Sequence, residues 1–149
     1  MKNITLLSIL FAVVIAFAGC KKKEEPKVYK NAEIAPSITF KSSYKVGETI
    51  TFDLTVTPDT QCQLEGALID LIAYKQDGTF VALTAGPSIF ITPTNQPHTF
   101  NFAIKVNNKE VGKPETYSKG TLRYILFYKS GCENEGGRSK NIIEFDIIP

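Results

Sequence analysis

Apolar and polar residues alternate along several short segments of this chain. The segment from Thr49 to Thr57 alternates without error, and the same period of two recurs from Thr99 to Val106 and from Ile143 to Ile147. Successive side chains of a β-strand point to opposite faces, so this pattern predicts strands that are buried on one face. Two further segments, Ala67 to Tyr74 and Leu122 to Tyr128, are mainly apolar on both faces. They are expected to lie in the centre of a sheet.

Shorter strands are predicted from Ser37 to Phe40, from Phe80 to Thr84 and from Ser88 to Ile91, with turn signals between them such as Asp77-Gly78 and Gly86-Pro87. Gly, Pro, Asn and Asp favour turns because of their backbone conformations and local hydrogen bonds. No helical period and no internal repeat is visible. About seven or eight short strands with frequent turns predict an all-β, antiparallel β-sandwich, with a small β-barrel as the alternative.

The N-terminal segment has a different pattern. Lys2 precedes a nearly uninterrupted apolar run from Ile4 to Phe17, and small residues then lead to Cys20. The run is shorter than the roughly 20 residues of a transmembrane helix and has the length of the apolar region of a signal peptide. We therefore expect residues 1–19 to be a removable targeting segment and residues 33–149 to form one domain of ordinary size.

The residues at the end of this segment, Phe17-Ala18-Gly19-Cys20, resemble the lipobox of bacterial lipoproteins. The resemblance implies that a lipid, with palmitate among its acyl chains, is attached to the sulfur of Cys20 and that the chain is cleaved just before it. Phe17 departs from the Leu that is usual in this motif. An ordinary signal peptide with a chance cysteine, or an uncleaved anchor, is the alternative. Two or three acyl chains would make the attachment effectively permanent.

The residues after Cys20 bear on localisation. Lys21 stands where an Asp commonly retains such lipoproteins in the inner membrane, so the resemblance implies the outer membrane. Lys23-Glu24-Glu25 is similar to the export signal of Bacteroidota-type surface lipoproteins, although a merely solvated tether accounts for it equally well, which leaves the periplasmic face open. Residues 20–32 are charged, contain Pro26 and show no periodicity. They are expected to be the lipidated cysteine and a flexible tether of roughly 20 Å.

The segment from Tyr44 to Phe52 resembles the entry to the second strand of many bacterial immunoglobulin-like domains. The resemblance implies an immunoglobulin-like sandwich, although the Cys-Trp-Cys core of immunoglobulins is missing. In that topology the loops that contain Cys62 and Cys132 lie at the same end, as the B–C and F–G loops. Thiols of an exported chain are expected to pair in an oxidising compartment. We therefore predict a disulfide between Cys62 and Cys132.

Acidic residues cluster near this predicted bridge, and a long polar loop from Val111 to Gly120 contains one large aromatic residue. The candidate binding-loop residues are Asp59, Glu65, Tyr117, Glu133 and Glu135. Carboxylates from neighbouring loops suit calcium, but the spacing of a calcium loop is absent, so no metal site is predicted and calcium binding is left open. One histidine, His98, supports neither a catalytic triad nor a zinc site, and no cofactor motif occurs.

Charge limits the partners that the domain is expected to bind. The formal net charge is +2, but from Asn31 onward eleven Lys and Arg face thirteen Asp and Glu, or about −2. A mildly acidic body without a basic stripe is a poor nucleic-acid binder. The sequence therefore favours a lipid-anchored, non-catalytic envelope protein that binds or scaffolds an unknown envelope protein or glycan. The alternative is a protease-inhibitor-like or adhesin-like module, and an envelope hydrolase is less favoured.

Overall fold

The computed structural model describes residues 27–28, 32–130, 132–133 and 139–149, with the backbone alone for 27, 28 and 133. The strands within these ranges are β1 (Lys27–Val28), β2 (Glu33–Pro36), β3 (Ser43–Lys45), β4 (Thr49–Thr57), β5 (Leu64–Tyr74), β6 (Phe80–Thr94), β7 (His98–Lys105), β8 (Lys119–Tyr128), β9 (Cys132–Glu133) and β10 (Ser139–Ile148). No helix in these ranges has the length and apolar character needed to cross a membrane.

Eight of these strands form two packed sheets. The smaller sheet has the order β2-β4-β7 and the larger one has the order β3-β10-β8-β5-β6, while β1 and β9 form a separate short pair. Within the two sheets, neighbouring strands are antiparallel, except that β3 runs parallel to β10. The sheets correspond to strands A, B, E and A′, G, F, C, C′ of an immunoglobulin-like domain. The fold is therefore the all-β, immunoglobulin-like sandwich that the sequence predicts.

The core lies between the two sheets and follows directly from the alternation along the strands. In β4 the buried positions are Ile50, Phe52, Leu54 and Val56, and their polar neighbours point away from the core. The facing strand β5 and its neighbour β8 contribute the other half of the core and are the central strands of the larger sheet. Apart from exposed residues at the strand ends, the outer-face side chains of these two strands are half-buried or buried among those of the neighbouring strands, which fits their continuous apolar composition.

The strand predicted from Ser37 to Phe40 is wrong in its position. The pairing strand is β2, which precedes it, and the chain leaves the smaller sheet at Ser37, where the N–H of Asp53 donates to Ser37 Oγ at 2.9 Å. The following residues cross to the larger sheet, and Phe40 packs edge-on against Phe52 with ring centroids 5.2 Å apart. Of the two apolar residues in this segment, only Phe40 packs against the core, whereas Ile38 is exposed.

The two strands predicted on either side of Gly86-Pro87 form one strand, β6, so the predicted turn is wrong. Between the pairs Leu68–Ser88 and Asp70–Ala85, β6 contains one more residue than β5, which is a β-bulge. A Cβ on Gly86 would lie 2.0 Å from the backbone oxygen of Ile69, so only Gly permits this approach. Pro87 is tolerated because β6 is an edge strand, where a missing N–H need not break a ladder.

Candidate functional site

A disulfide between Cys62 and Cys132 closes one end of the sandwich, as predicted. The two Cα atoms are 5.7 Å apart, and both side chains are buried. Cys62 follows β4 and precedes β5, whereas Cys132 follows β8, so the bridge joins the B–C loop to the F–G loop. We call this region, with residues 58–63, 129–130 and 132–133, the bridged end.

Backbone hydrogen bonds position both cysteines. The N–H of Cys62 donates to the backbone oxygen of Asp59 at 3.0 Å, and that of Cys132 donates to the backbone oxygen of Lys129 at 3.3 Å, so each cysteine completes a turn. The N–H of Lys129 donates in turn to the backbone oxygen of Gln63 at 3.0 Å, which joins the two loops next to the bridge. The bridge therefore connects two loops that also contact each other through the backbone.

The N-terminal part of the described chain also reaches the bridged end. Strand β1 pairs in parallel with β9, so that Lys27 is the partner of Cys132 and Val28 the partner of Glu133. The next strand, β2, starts opposite Thr57, the last residue of β4 and close to the same end. Lys27–Val28 lies within the segment predicted to be a tether. The chain that leads from Cys20 thus enters the domain beside the disulfide.

The predicted acidic residues are arranged around this end. Asp59 follows β4, and its carboxylate accepts the N–H of Gln61 at 3.1 Å. Glu65 is half-buried near the start of β5, and the backbone of Glu133 belongs to β9. Glu135, like the predicted lipidation site Cys20, lies outside the described residues. Among the residues that the structure does describe, no three His, Cys, Asp or Glu side chains are grouped so as to hold a metal ion.

Tyr117 lies at the opposite end of the sandwich from the acidic residues. Its loop follows β7, whose last residue pairs with the first residue of β4, far from Cys62. The Tyr117 ring is half-buried against the core, and its N–H donates to the backbone oxygen of Asn108 at 2.8 Å. The predicted binding-loop residues are therefore divided between the two ends. His98, at the start of β7, is half-buried and packs against the Phe100 ring at 4.7 Å.

A buried ion pair occupies the outer face of the larger sheet, which faces away from the core. Asp70 in β5 and Arg123 in β8 are register partners, and the Arg123 Nε–H donates to Asp70 Oδ1 at 3.1 Å while Nη2 bonds Oδ2. The two side chains are only 10% and 15% exposed. The hydrogen bond to Asp70 is the main cause that raises the pKa of Arg123 above its ordinary value. Arginine is a cation in proteins in any case, and this hydrogen bond stabilises the charged form further.

Aromatic and amide groups extend this pair across four strands. The Arg123 guanidinium carbon lies 4.3 Å from the centroid of the Phe80 ring, and Phe80 in turn packs edge-on against Tyr74 at 6.5 Å. The Tyr74 hydroxyl and the Asn141 amide are 3.1–3.3 Å apart. We call these five residues, Asp70, Tyr74, Phe80, Arg123 and Asn141, the outer cluster. Tyr74 and Phe80 are about half exposed and are its accessible part.

A second aromatic pair lies on the same face, closer to the bridged end. Phe90 in β6 and Phe127 in β8 both pair with Gly66, and their rings stack with centroids 5.1 Å apart. A Cβ on Gly66 would lie 2.4 Å from the backbone oxygen of Ile89 and 3.2 Å from the Phe90 ring, so this Gly permits the close approach of β6. Phe90 remains 69% exposed, although aromatic side chains are usually buried. We call this the Phe90–Phe127 pair.

Neither of these surfaces was predicted from the sequence. A signal for the ion pair was present, since each of the two apolar central segments contains one charged residue, Asp70 and Arg123, and a charge in a buried strand requires a partner. No comparable signal marked Phe90, because a phenylalanine between two isoleucines in a short apolar segment is equally compatible with the core. Its exposure depends on the bulges of β6, which set the face to which each side chain points.

No family model matches the chain, and no curated protein matches it. The chain is similar to the crystal structure of Spo0M, a sporulation control protein from Bacillus subtilis, with 16% sequence identity and a TM-score of 0.48. The match covers 79% of this chain and 49% of that chain, so this chain spans about half of the other protein's length.

Proposed function

We propose that the protein is a lipid-anchored outer-membrane protein whose immunoglobulin-like domain binds or scaffolds an envelope partner and catalyses no reaction. The observation that carries the anchor is the use of the three cysteines. Cys62 and Cys132 are joined to each other, which leaves Cys20, at the end of the lipobox-like segment, as the thiol available for a lipid. The entry of the chain beside the bridge supports the proposal, since the domain would be attached to the membrane through one defined end.

The binding part of the proposal is supported by the outer cluster. Tyr74 and Phe80 expose large aromatic surfaces. The guanidinium of Arg123, which is paired with Asp70, packs against the Phe80 ring. Rigid aromatic side chains beside an arginine are enriched at protein interfaces, because they bury a large area at a small cost in conformational entropy. The same rings are suited to stack on a sugar. The crosslinking experiment below distinguishes a protein partner from a glycan.

Replacing Cys20 with Ala is expected to abolish acylation and, with it, membrane attachment of the mature protein. The variant should lack the acyl chains, and it should either stall as the uncleaved precursor or appear in the soluble fraction, because no lipid holds it to the bilayer. Labelling with a radioactive fatty acid, membrane fractionation and intact mass measure this result. Lys22→Ala is the matched control, and it should remain acylated and membrane-bound. A processed, acyl-free Cys20→Ala protein that still fractionates with membranes would show that the anchor assignment is wrong.

A photo-reactive phenylalanine analogue in place of Phe80 is expected to crosslink the full chain to its partner in intact cells. The analogue retains the ring and lies on the exposed part of the outer cluster. The control position is Ala103, which is exposed on β7 in the other sheet. We expect an adduct of defined mass from position 80 and none of that mass from position 103. Equal adduct patterns from both positions, or no adduct from position 80, would contradict the assignment of this face.

A further inference from the structure

The place where the N-terminal chain joins the domain restricts how the domain stands on a membrane. Lys27 is paired with Cys132. In a chain that carries its lipid on Cys20, only the seven residues from Cys20 to Pro26 precede Lys27. Seven residues span at most about 25 Å when fully extended. The opposite end is much farther away, since β8 alone has 10 residues and so measures roughly 33 Å. A chain held at Cys20 therefore keeps the bridged end near the lipid.

The Phe90–Phe127 pair lies on the part of the surface that this restriction brings to the membrane. Phe90 pairs with Gly66, two residues from the first residue of β5, which follows the Cys62 loop. The distance along the strand from that first residue is about 7 Å. The pair also belongs to the larger sheet, next to the F–G loop that holds β9 and the entering chain. One exposed ring supported by a second ring is suited to insert among lipid headgroups.

We infer that the bridged end faces the membrane and that Phe90, supported by Phe127, is the domain's own contact with the lipid surface. The inference rests on the proposed lipid at Cys20. In interfacial amphipathic helices, the face that carries Trp, Phe and Leu is buried about 5–10 Å deep at the boundary between headgroups and acyl chains, and Phe90 would enter the same layer. A contact of this kind adds a second attachment point to the lipid, so that the sandwich holds one orientation and its far end, with the loop that contains Val111, points away from the membrane.

The lack of tryptophan in this protein allows a direct test. A Phe90→Trp variant and a Val111→Trp variant each contain a single Trp, the first at the proposed contact and the second at the far end, where Val111 is 92% exposed. The chain from Cys20 to Pro149 is used, because every core residue lies between Tyr44 and Ile147 and is retained. Cys20 is coupled to a maleimide lipid in phosphatidylcholine vesicles, since the other two cysteines are in the disulfide.

In coupled vesicles, the Trp emission of the Phe90→Trp variant is expected to shift to shorter wavelength and to lose intensity when the lipids carry brominated acyl chains. The emission of the Val111→Trp variant should not change, and uncoupled Phe90→Trp protein should show little effect, because a single ring binds lipid weakly without the anchor. Absence of quenching at position 90, stronger quenching at position 111, or equal quenching at both positions would each overturn the inference.

This test separates the inference from the proposed function. The chemical anchor replaces the biological one, so the orientation is measured whether or not cells attach a lipid to Cys20. If Phe90→Trp is quenched in vesicles but Cys20→Ala gives a processed, acyl-free protein that stays on cell membranes, the proposed anchor fails and the geometry of the bridged end holds. If Cys20→Ala releases the protein but Phe90→Trp is not quenched, the anchor holds and the lipid contact of Phe90 is wrong.

Discussion

Replacing Cys62 and Cys132 together with Ala is expected to lower the free energy of unfolding by about 4 kcal/mol. The bridge joins residues 70 positions apart, and in the chain-entropy model a closed loop of this length restricts the unfolded chain by on the order of that amount. Four of the eight strands of the two sheets, β5 to β8, lie inside the loop. Most of the effect should therefore act on the unfolded state, with little change in the folded sheets.

Urea denaturation of the oxidised protein and of the double variant measures this difference, and the folded baselines should agree by circular dichroism. Cys20→Ala is the matched control, because it removes a cysteine without removing the bridge. The double variant that lacks Cys62 and Cys132 should also show faster amide exchange at Lys27–Val28, since the bridge holds β9, the partner of β1. An unfolding midpoint of the double variant equal to that of the oxidised protein would contradict the prediction.

Removal of Asp70 is expected to destabilise the protein by about 3 kcal/mol, because Asp70→Ala leaves the Arg123 charge on a largely buried face without its carboxylate. This value is at the low end of the range for buried pairs, because both side chains keep some contact with solvent. The double variant Asp70→Ala with Arg123→Ala should lose much less than the sum of the two single variants, since it leaves no unpaired charge. Urea denaturation of the four proteins measures this coupling.

The exposed ion pair between Lys119 and Glu144 is the matched control for this cycle. It joins β8 to β10 in the same sheet, with an Nζ–Oε1 distance of 2.9 Å, but both side chains are more than half exposed. Solvent screens such pairs, so Glu144→Ala should change the stability little. If Asp70→Ala is as mild as Glu144→Ala, the pair does not support the outer face, and the position of Phe80 over Arg123 requires another explanation.

The two aromatic surfaces on the larger sheet have different proposed tasks. The Phe90–Phe127 pair is close to the bridged end and to the entering chain, and we assign it to the lipid. The outer cluster reaches farther along the sheet, to Tyr74 at the last residue of β5, and we assign its accessible rings to a partner. In the proposed orientation this second surface stands clear of the headgroups, where an envelope protein or glycan has access to it.

This arrangement also changes the interpretation of the acidic loop residues. Asp59, Glu65 and Glu133 lie at or beside the bridged end, which faces the bilayer in the proposed orientation. Their position leaves less room for a large partner than the sheet face does. Tyr117, at the far end, would be accessible by position, but its ring packs against the core. The face of the larger sheet is therefore a better candidate for recognition than the loops that the sequence indicated.

The sequence alone determined the features that depend on local patterns. The alternation from Thr49 to Thr57 predicted β4 with the limits that the structure has, and the apolar segments predicted the central strands β5 and β8. The pairing of Cys62 with Cys132 followed from the topology that the resemblance implied. These predictions were possible because the period of two and the order of strands in a known fold are both encoded in residue types and spacing.

Only the tertiary structure decided the features that depend on register between distant strands. Gly86-Pro87 has the composition of a turn, but its conformation is set by the approach of Ile69 across a bulge. Asp70 and Arg123 are 53 residues apart and meet because β5 and β8 pair in one register. Phe90 is exposed because the bulges of β6 direct its ring to the outer face, where Phe127 lies. Local composition sets which segments become strands, whereas pairing over long sequence distances sets which side chains meet.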